Sequence, residues 1–391
     1  MSLPTSSPTQ HRQIAPLVHF QKQQLMPRSC PIKVMLFKPG FSYLLASLLL
    51  ATACSDKKGL GDGFSLESLP LEQLSDYQLF DGELNLLQPG PDLLPYDLNT
   101  PLFTDYAEKL RFLYLPEGEQ ITYVDEATLQ YPIGAMLFKN FFFYNDTRNP
   151  ALGRRILETR ILALHEDGWK AYSYLWNDAQ TEATYRVTGA VVPVNWIQPD
   201  GSNNSIQYVI PNQVDCQNCH QIGDPLMPLG PKPRNINRSY PYADGTTNQL
   251  EKWAEKGWLT GLPASIPVLP VWNDPSSGSL NDRARAYLDV NCAHCHRPEG
   301  DADNSGLFLN YENGDASALG LCKPPVAAGA GSGGLAFDIV PGQPDSSILL
   351  FRMNAVELNV MMPEAGRTII HQEGVALIEA WIASLSPEGC P

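Results

Sequence analysis

Two short segments of this chain share one pattern, Cys-x-x-Cys followed at once by His. One covers residues 216–220 and the other covers residues 292–296. At the Cys and His frequencies of this chain, roughly 0.003 such segments are expected by chance, so coincidence does not explain two. Residues three apart lie on one face of a helical turn, so both thiols of a pair can react with one bound group. The chain is therefore constrained to hold, at two places, a group that takes two thiols and an imidazole.

The Cys-x-x-Cys-His spacing is typical of covalent c-type haem attachment. Each thiol adds to a vinyl group of the haem, and the following His offers a ring nitrogen to the iron. We therefore expect two c-type haems, each with its iron bound by one histidine. The expected haem-binding residues are Cys216, Cys219, His220, Cys292, Cys295 and His296.

Paired cysteines also occur in zinc sites and in thiol–disulfide oxidoreductases. Here 72 residues separate Cys219 from Cys292, whereas the pairs of a typical zinc site are separated by roughly 15–20 residues. Zinc does not require a histidine directly after both pairs, and no βαβ pattern of the kind that carries a redox Cys-x-x-Cys is visible. Both alternatives are therefore disfavoured.

A six-coordinate iron needs a further ligand on the face opposite its histidine. For the second haem we expect Met362, or its neighbour Met361, because a Met-Pro pair precedes the last amphipathic segment. A thioether ligand would raise the reduction potential of that haem. The alternative is that these methionines only fill the core.

The second ligand of the first haem is less constrained by the sequence. Met227 lies seven residues after His220 and is our expected ligand. His165, His371 and an open coordination position are the alternatives.

The first 53 residues have the features of an export leader. They contain five Lys or Arg and no Asp or Glu, and an apolar run covers residues 44–53. Residues 51–54 resemble a bacterial lipobox, which predicts lipidation of Cys54 and anchoring on the periplasmic side of a bacterial membrane. The alternatives are an ordinary secretory signal and a retained membrane helix, for which the run is short.

Two further cysteines, Cys322 and Cys390, lie outside the leader and both haem segments. Disulfides persist in exported proteins. We therefore expect Cys322 and Cys390 to pair and to tie the C-terminal tail to a loop, with two free thiols as the alternative.

Charge restricts the class of partner. After the leader, the chain has 22 basic and 42 acidic residues, a net charge of −20. Nucleic-acid binding needs a basic surface, so no nucleic acid is expected as a partner. A charged protein partner would more readily be basic.

The residues after the leader outnumber those that a single core usually supports, so several domains are expected. Seven segments between residues 96 and 212 are rich in aromatic and β-branched residues, with turn signals between them. They predict a mainly antiparallel β domain of sandwich or barrel type, followed by mainly α haem domains. The expected regions are a leader and signal peptide (1–53), a tether (54–63), a strand-rich domain (64–210), a first haem-binding region (211–277) and a domain with the second haem (278–391).

The C-terminal region resembles a class I cytochrome c. It contains in order a helix that ends in the haem segment, a long loop, a Met-Pro pair and an amphipathic segment at residues 373–385. The resemblance implies that residues 278–388 fold as a class I cytochrome c domain.

Over about residues 70–390 the chain also resembles a family of bacterial dihaem c-type cytochromes. The resemblance depends on four segments, residues 95–107, 158–160, 169–178 and 291–296. Similar segments occur in the C-terminal parts of some exported sugar-dehydrogenase-like proteins. The resemblance implies haem binding and electron transfer, and it supplies no substrate.

The expected function is electron transfer between periplasmic redox partner proteins, after assembly by the cytochrome c maturation machinery and anchoring to the membrane through the N-terminal lipid. One alternative is a dihaem peroxidase-like or MauG-like enzyme with one open iron. Another makes residues 64–210 a module that docks a dehydrogenase or a sugar.

Overall fold

A computed structural model describes residues 65–220, 226–387 and 389–390. The predicted leader, the tether and the lipidation site Cys54 lie outside these residues. All of the described residues belong to one compact unit, and the predicted division into regions stays a prediction. Strands contain 28% of the residues and helices 23%, so the coarser part of the prediction, substantial antiparallel β structure with fewer helices, is confirmed.

Fifteen strands are present in the described residues, and most of them are short. They are β1 (Phe80–Asp81), β2 (Gln88–Pro89), β3 (Leu93–Tyr96), β4 (Glu108–Tyr114), β5 (Ile121–Asp125), β6 (Thr128–Gln130), β7 (Met136–Tyr144), β8 (Arg154–His165), β9 (Gly168–Trp176), β10 (Ala183–Tyr185), β11 (Ala190–Ile197), β12 (Asn203–Ile210), β13 (Ser239–Tyr242), β14 (Gly245–Asn248) and β15 (Leu259–Thr260).

Six α-helices follow or interrupt these strands, and short 3₁₀ turns occur between them. The helices are α1 (Gln213–His220), α2 (Pro233–Ile236), α3 (Gln249–Glu255), α4 (Leu280–Asn291), α5 (Ile348–Met353) and α6 (Gln372–Ser384). Among the described residues, no helix has the length and apolar character needed to cross a membrane.

The largest sheet is antiparallel and open, with strand order β10-β9-β8-β7-β4-β3. The turn residues at positions 166–168 predict a hairpin, and it is confirmed: His165 of β8 pairs with Gly168 of β9, and Gly168 adopts a φ of +114°. The composition of residues 184–194 predicts a single strand, and this prediction is wrong, because β10 and β11 are separate. At Gly189 between them φ is +66°, and a Cβ would lie 2.5 Å from the carbonyl oxygen of Ile210. A side chain is therefore excluded at the point where the chain leaves the sheet.

Each face of the six-stranded sheet packs against different parts of the chain. One face packs against residues 69–87 through Phe112, Phe138, Ile161, Tyr172 and Tyr174. The other face carries two apolar clusters. The first contains Leu113, Leu137, Leu162 and Trp253, and the second contains Phe141, Phe143, Leu157, Trp196 and Tyr208.

Helix boundaries follow the capping residues. Asn248 Oδ1 accepts the Leu250 N–H at 2.9 Å, which begins α3, and Ser279 Oγ accepts the Asp282 N–H at 3.2 Å, which begins α4. The apolar pattern predicts a helix over residues 281–295, which is too long at its C-terminal end, because the backbone leaves the helical conformation at Cys292. Helix α4 packs on α6 in the apolar core of the C-terminal region, with Tyr287, Leu288, Ile378 and Trp381 buried there.

Residues 99–106 join the strands to the segments that carry the cysteine pairs. Asn99 N–H donates to Asn235 O at 2.8 Å, and Phe103 N–H donates to Asn291 Oδ1 at 2.8 Å. The buried Asp105 carboxylate accepts the Thr368 N–H at 2.7 Å, and the Tyr106 hydroxyl donates to Glu373 at 2.7 Å. These hydrogen bonds hold distant parts of the chain together, and we call residues 99–106 the clamp. They make up most of residues 95–107, one of the segments on which the family resemblance depends.

A buried carboxylate fixes α4 to the chain that follows the first haem segment. Asp289 on α4 accepts hydrogen bonds from Lys232 Nζ at 2.9 Å and from Arg234 Nη2 at 3.2 Å. Arg234 also pairs with Glu312. Burial alone would raise the pKa of Asp289, but the two cations overcome this effect and hold the pKa below its ordinary value.

Replacing Asp289 with Asn should reduce the free energy of unfolding by about 3–5 kcal/mol, because it leaves the half-buried Lys232 without a carboxylate and the buried Arg234 with Glu312 alone. Since the pKa of Asp289 is lowered in the folded state, the Asp289 ion pairs make their full contribution to the free energy of unfolding at neutral pH. This contribution is lost as the pH falls below about 3.9, the ordinary pKa of Asp. Urea unfolding at several pH values measures both effects. Asp178→Asn, at an exposed pair with Arg155, should change stability by less than about 1 kcal/mol, and an equal effect of the two variants would contradict the prediction.

Candidate haem centre

The first Cys-x-x-Cys-His segment forms most of α1. Asn212 Oδ1 accepts the N–H groups of Val214 at 2.8 Å and Asp215 at 3.0 Å, which begins the helix directly after β12. Helix α1 packs against β9 of the large sheet. Cys216 is buried, and burial raises the pKa of its thiol. The sheet therefore supports the first segment from one side.

The second segment is a tight turn at the end of α4. Cys292 N–H donates to Leu288 O at 2.9 Å, and His296 N–H donates to Cys292 O at 3.0 Å. The buried Gly300 closes the turn, where a Cβ would collide with the carbonyl oxygen of Cys295. Burial raises the pKa of the Cys292 thiol to about 12.

The two segments meet through their second cysteines. A hydrogen bond between the Cys219 and Cys295 thiols lowers the pKa of Cys219 and raises that of Cys295. The His294 ring also hydrogen-bonds to Cys219, while its buried Nδ1 has no partner among the described residues. The Arg297 guanidinium lies 3.4 Å from the Met227 sulfur. Groups far apart in the sequence thus form one site.

Both motif histidines are held at Nδ1. His220 Nδ1 donates to the Met227 carbonyl oxygen at 2.8 Å, and His296 Nδ1 lies 3.4 Å from Ser305 Oγ. In each ring this arrangement leaves Nε2 as the metal-binding atom. Burial lowers the pKa of both rings to about 4, so both are neutral at neutral pH, the form that binds a metal.

The methionines expected as axial ligands differ in their surroundings. Met361 is buried and Met362 is half-buried, in a loop that two arginines fix. Arg352 Nε donates to Val360 O at 2.8 Å, and Arg367 Nη2 donates to Met362 O at 2.8 Å. The positive charge of Arg352 also acts on His296, so α5 connects this loop with the second haem segment.

The two alternative histidines are engaged by side chains outside both haem segments. His165 Nε2 lies 3.0 Å from the Tyr172 hydroxyl, where His165 lines a surface cleft. His371 stacks on Phe103 at 4.1 Å between ring centroids, and its Nδ1 lies 2.9 Å from the Tyr287 hydroxyl. Both rings therefore have structural roles in this arrangement.

Cys322 and Cys390 form a disulfide, the pairing that the sequence analysis expected. Close to the bond, Gly389 N–H donates to Pro341 O at 2.8 Å. The bond joins the end of the chain to the loop before α5.

The residues at the two segments are of the types that a covalently attached haem requires. Among the described residues, no cluster of three or more His, Cys, Asp or Glu side chains could hold a metal ion. A haem needs from each segment only two thiols and one neutral imidazole. Cys216, Cys219, Cys292 and Cys295 are all outside disulfides, and both rings offer Nε2.

Sequence reasoning missed the groups that orient these ligands. Ser305, Arg352 and Arg367 have no sequence signature, because they reach the site only through folding. His294 carried a possible signal, since it lies inside the second motif, but its contact with Cys219 required the juxtaposition of both segments.

No protein-family model, curated protein or solved structure matches this chain. The resemblance to dihaem c-type cytochromes therefore stays a prediction that depends on the residues of the chain itself.

The contact between Cys219 and Cys295 predicts selective cross-linking. We consider a Cys216→Ser/Cys292→Ser variant produced without haem maturation. Mild oxidation should join Cys219 to Cys295, because a disulfide needs the two Cβ atoms within about 3.5–4.5 Å and these two side chains already interact. Peptide mass mapping without reduction measures the product. The reciprocal Cys219→Ser/Cys295→Ser variant should stay largely reduced, and equal cross-linking of the two variants would contradict the arrangement.

Proposed function

We propose that this protein is an exported dihaem c-type cytochrome that transfers electrons between redox partner proteins on the periplasmic side of a bacterial membrane. The observation that carries this proposal is the meeting of the two Cys-x-x-Cys-His segments through Cys219 and Cys295. Groups attached to these cysteines would be neighbours, which is the arrangement that electron transfer between two cofactors requires.

Haem would supply a one-electron carrier at each segment. Four cysteines of this chain would hold the two macrocycles, and His220 and His296 would each offer Nε2. The Met227 carbonyl and Ser305 would keep the two imidazole rings in position through Nδ1. Such hydrogen bonds raise the basicity of the ring and fix its orientation.

For the second haem we propose Met362 as the axial ligand, with Met361 as its alternative. The support is the attachment of their loop to α5 and to the buried Arg367. This arrangement and the packing of α4 on α6 support the finer prediction that residues 278–391 form a class I cytochrome c-like domain.

Met227 has a different role in our proposal from the axial one predicted from the sequence. Its carbonyl oxygen accepts the hydrogen bond from His220 Nδ1, so the backbone of Met227 lies on the side of the ring away from Nε2. A thioether on the same residue would have to reach around the ring and across the haem. We therefore propose that Met227 orients His220.

An enzyme is the second candidate function, and the position of Met227 is the observation that favours it. If Met227 is not a ligand, the first iron has no assigned ligand opposite His220 and is open to a small molecule. A dihaem peroxidase-like protein would use such an open iron.

Export is part of the proposal. The disulfide between Cys322 and Cys390 is of a kind that persists in oxidising compartments. With the leader predicted from residues 1–53, it supports a periplasmic location, and lipidation of Cys54 would add a membrane anchor. The acidic chain favours a redox partner with a basic surface.

The intact mass of protein from a host with cytochrome c maturation tests the proposal. We expect two covalently bound haems in the parent. We expect one in Cys216→Ser/Cys219→Ser and one in Cys292→Ser/Cys295→Ser, because each segment binds its own haem. The protein should be reduced and reoxidised reversibly without consuming peroxide. A parent without haem would contradict the cytochrome proposal, and peroxide turnover at a high-spin iron would favour the enzyme.

The two methionine assignments predict opposite results. Met362→Ala should remove a thioether ligand, give a high-spin signal in electron paramagnetic resonance and lower one midpoint potential. Met227→Ala keeps the backbone carbonyl that accepts the His220 hydrogen bond, so both haem signals should be unchanged. A new high-spin signal in Met227→Ala would show that Met227 is a ligand after all.

A further inference from the structure

A row of cationic side chains crosses the large sheet beside the first haem segment. Arg111 on β4 pairs in register with Lys139 on β7, and Lys139 pairs with Arg160 on β8. Directly paired residues of neighbouring strands point to the same side of a sheet. Lys109, two residues before Arg111, lies on that side as well. We name these four residues the cationic row.

The cationic row lies between the two apolar clusters on this face. On one side is the cluster that contains Leu113 and Leu137, and on the other is the cluster that contains Phe143 and Trp196. Burying an ammonium or guanidinium group in such surroundings is costly unless an anion compensates it. The cations of the row therefore need negative charges close to them.

The carboxylates of the chain compensate the two arginines. Arg160 forms two hydrogen bonds to the fully buried Glu158, one of them at 2.8 Å. Arg111 donates to Asp97 at 2.7 Å, and Asp97 is shared with Arg238 at 3.3 Å. Both nearby acids are thus already engaged by arginines.

The two lysines have no such partner. Within residues 65–220, 226–387 and 389–390, no carboxylate lies within ion-pairing distance of Lys109 or Lys139. Asp105 is near Lys109, but its oxygens accept hydrogen bonds from Thr368 and Ile369. Burial lowers the pKa of Lys109 to about 7 and that of Lys139 well below its ordinary value. Two half-buried lysines therefore have no carboxylate partner in the described part of the chain.

The cationic row faces the first haem segment. The charges of Lys139 and Arg160 both act on the His220 ring, and Arg160 also acts on the Cys216 thiol. The cations that act on the His296 ring, Arg352 and Lys323, pair with Glu364 and Asp338. Of the described Lys and Arg side chains that act on the two motif imidazoles, the one without a carboxylate partner is therefore Lys139, at the first segment.

We propose that Lys109 and Lys139 bind the two propionate carboxylates of the first haem, an inference that rests on the proposed function. A haem carries two propionates, and the row offers two lysines without a carboxylate partner among the described residues: Lys139 acts on the His220 ring, and Lys109 acts on Lys139. Arg111 and Arg160 remain paired with Asp97 and Glu158, and they add positive charge beside the edge of the haem.

This site also sets the potential of the first haem. Reduction adds one negative charge to the haem, and nearby cations stabilise the reduced form. Removal of a lysine leaves a propionate without its partner in a medium of low dielectric constant, which disfavours a further negative charge. The first haem should then become harder to reduce, whereas the second haem should be unaffected.

A spectroelectrochemical titration of the single-haem holoproteins tests the proposal. In the Cys292→Ser/Cys295→Ser background, which keeps the first haem, Lys139→Met and Lys109→Met/Lys139→Met should lower the equilibrium constant for reduction. We expect about tenfold for the double variant, which corresponds to about 59 mV for one electron. In the Cys216→Ser/Cys219→Ser background the same substitutions should leave the second haem unchanged.

Two controls make the result specific. Lys170→Met removes a lysine whose side chain is 43% exposed at the β8–β9 hairpin, and it should shift neither potential. Lys139→Arg keeps the positive charge and should keep the potential close to the parent value. If Lys139→Met loses the first haem by mass while Lys139→Arg retains it, the proposal is supported as well.

The proposal is overturned if haem is bound and the double lysine variant shifts the first potential no more than Lys170→Met does. It is also overturned if Lys139→Met and Lys139→Arg lose the haem alike, because haem attachment then depends on the shape of the lysine side chain and not on its positive charge. A parent protein without any haem would overturn the proposed function itself, and the intact mass distinguishes that outcome.

Discussion

The arrangement of the two cysteine pairs depends on one buried carboxylate. Asp289 lies one turn before the second haem segment, and its partners Lys232 and Arg234 follow the first segment in the chain. These ion pairs therefore tie α4, which leads into the second segment, to residues 232–234. Because a buried carboxylate without its cations is costly, this connection is specific. The hydrogen bond between Cys219 and Cys295 joins the two segments at the site.

The large sheet supports the first cysteine segment and also carries much of the apolar core. One face is covered by residues 69–87, the other carries two apolar clusters, and α1 packs against β9. A charged row on such a face is unusual for a structural sheet, whose buried side normally carries apolar residues. The clamp at residues 99–106 then holds the C-terminal helices against the same unit. Its residues have structural rather than chemical roles, which explains why that segment carries no recognisable chemistry of its own.

The sequence predicted the local elements well, because they depend on local signals. The β8–β9 hairpin follows from its turn residues, and the amphipathic pattern of residues 373–385 predicted α6 within one residue at each end. The disulfide followed from cysteine counting. The break at Gly189 was missed, since it depends on a close approach to Ile210 that no local pattern reveals.

The site was predictable only in part for the same reason. Both cysteine pairs are local motifs and were visible at once. Their juxtaposition and the cationic row depend on contacts between distant parts of the chain. Met227 is a local case: sequence spacing favoured its sulfur as a ligand, whereas its backbone carbonyl accepts a hydrogen bond from His220.

Proximity of two haems is the central claim, and magnetic coupling between the oxidised irons tests it most directly. Electron paramagnetic resonance of the fully oxidised protein should show signals that are broadened or split relative to the sum of the two single-haem variants. Such a difference requires that the irons lie close together, as the contact between Cys219 and Cys295 implies. A spectrum equal to that sum, from protein shown to carry both haems, would contradict the account.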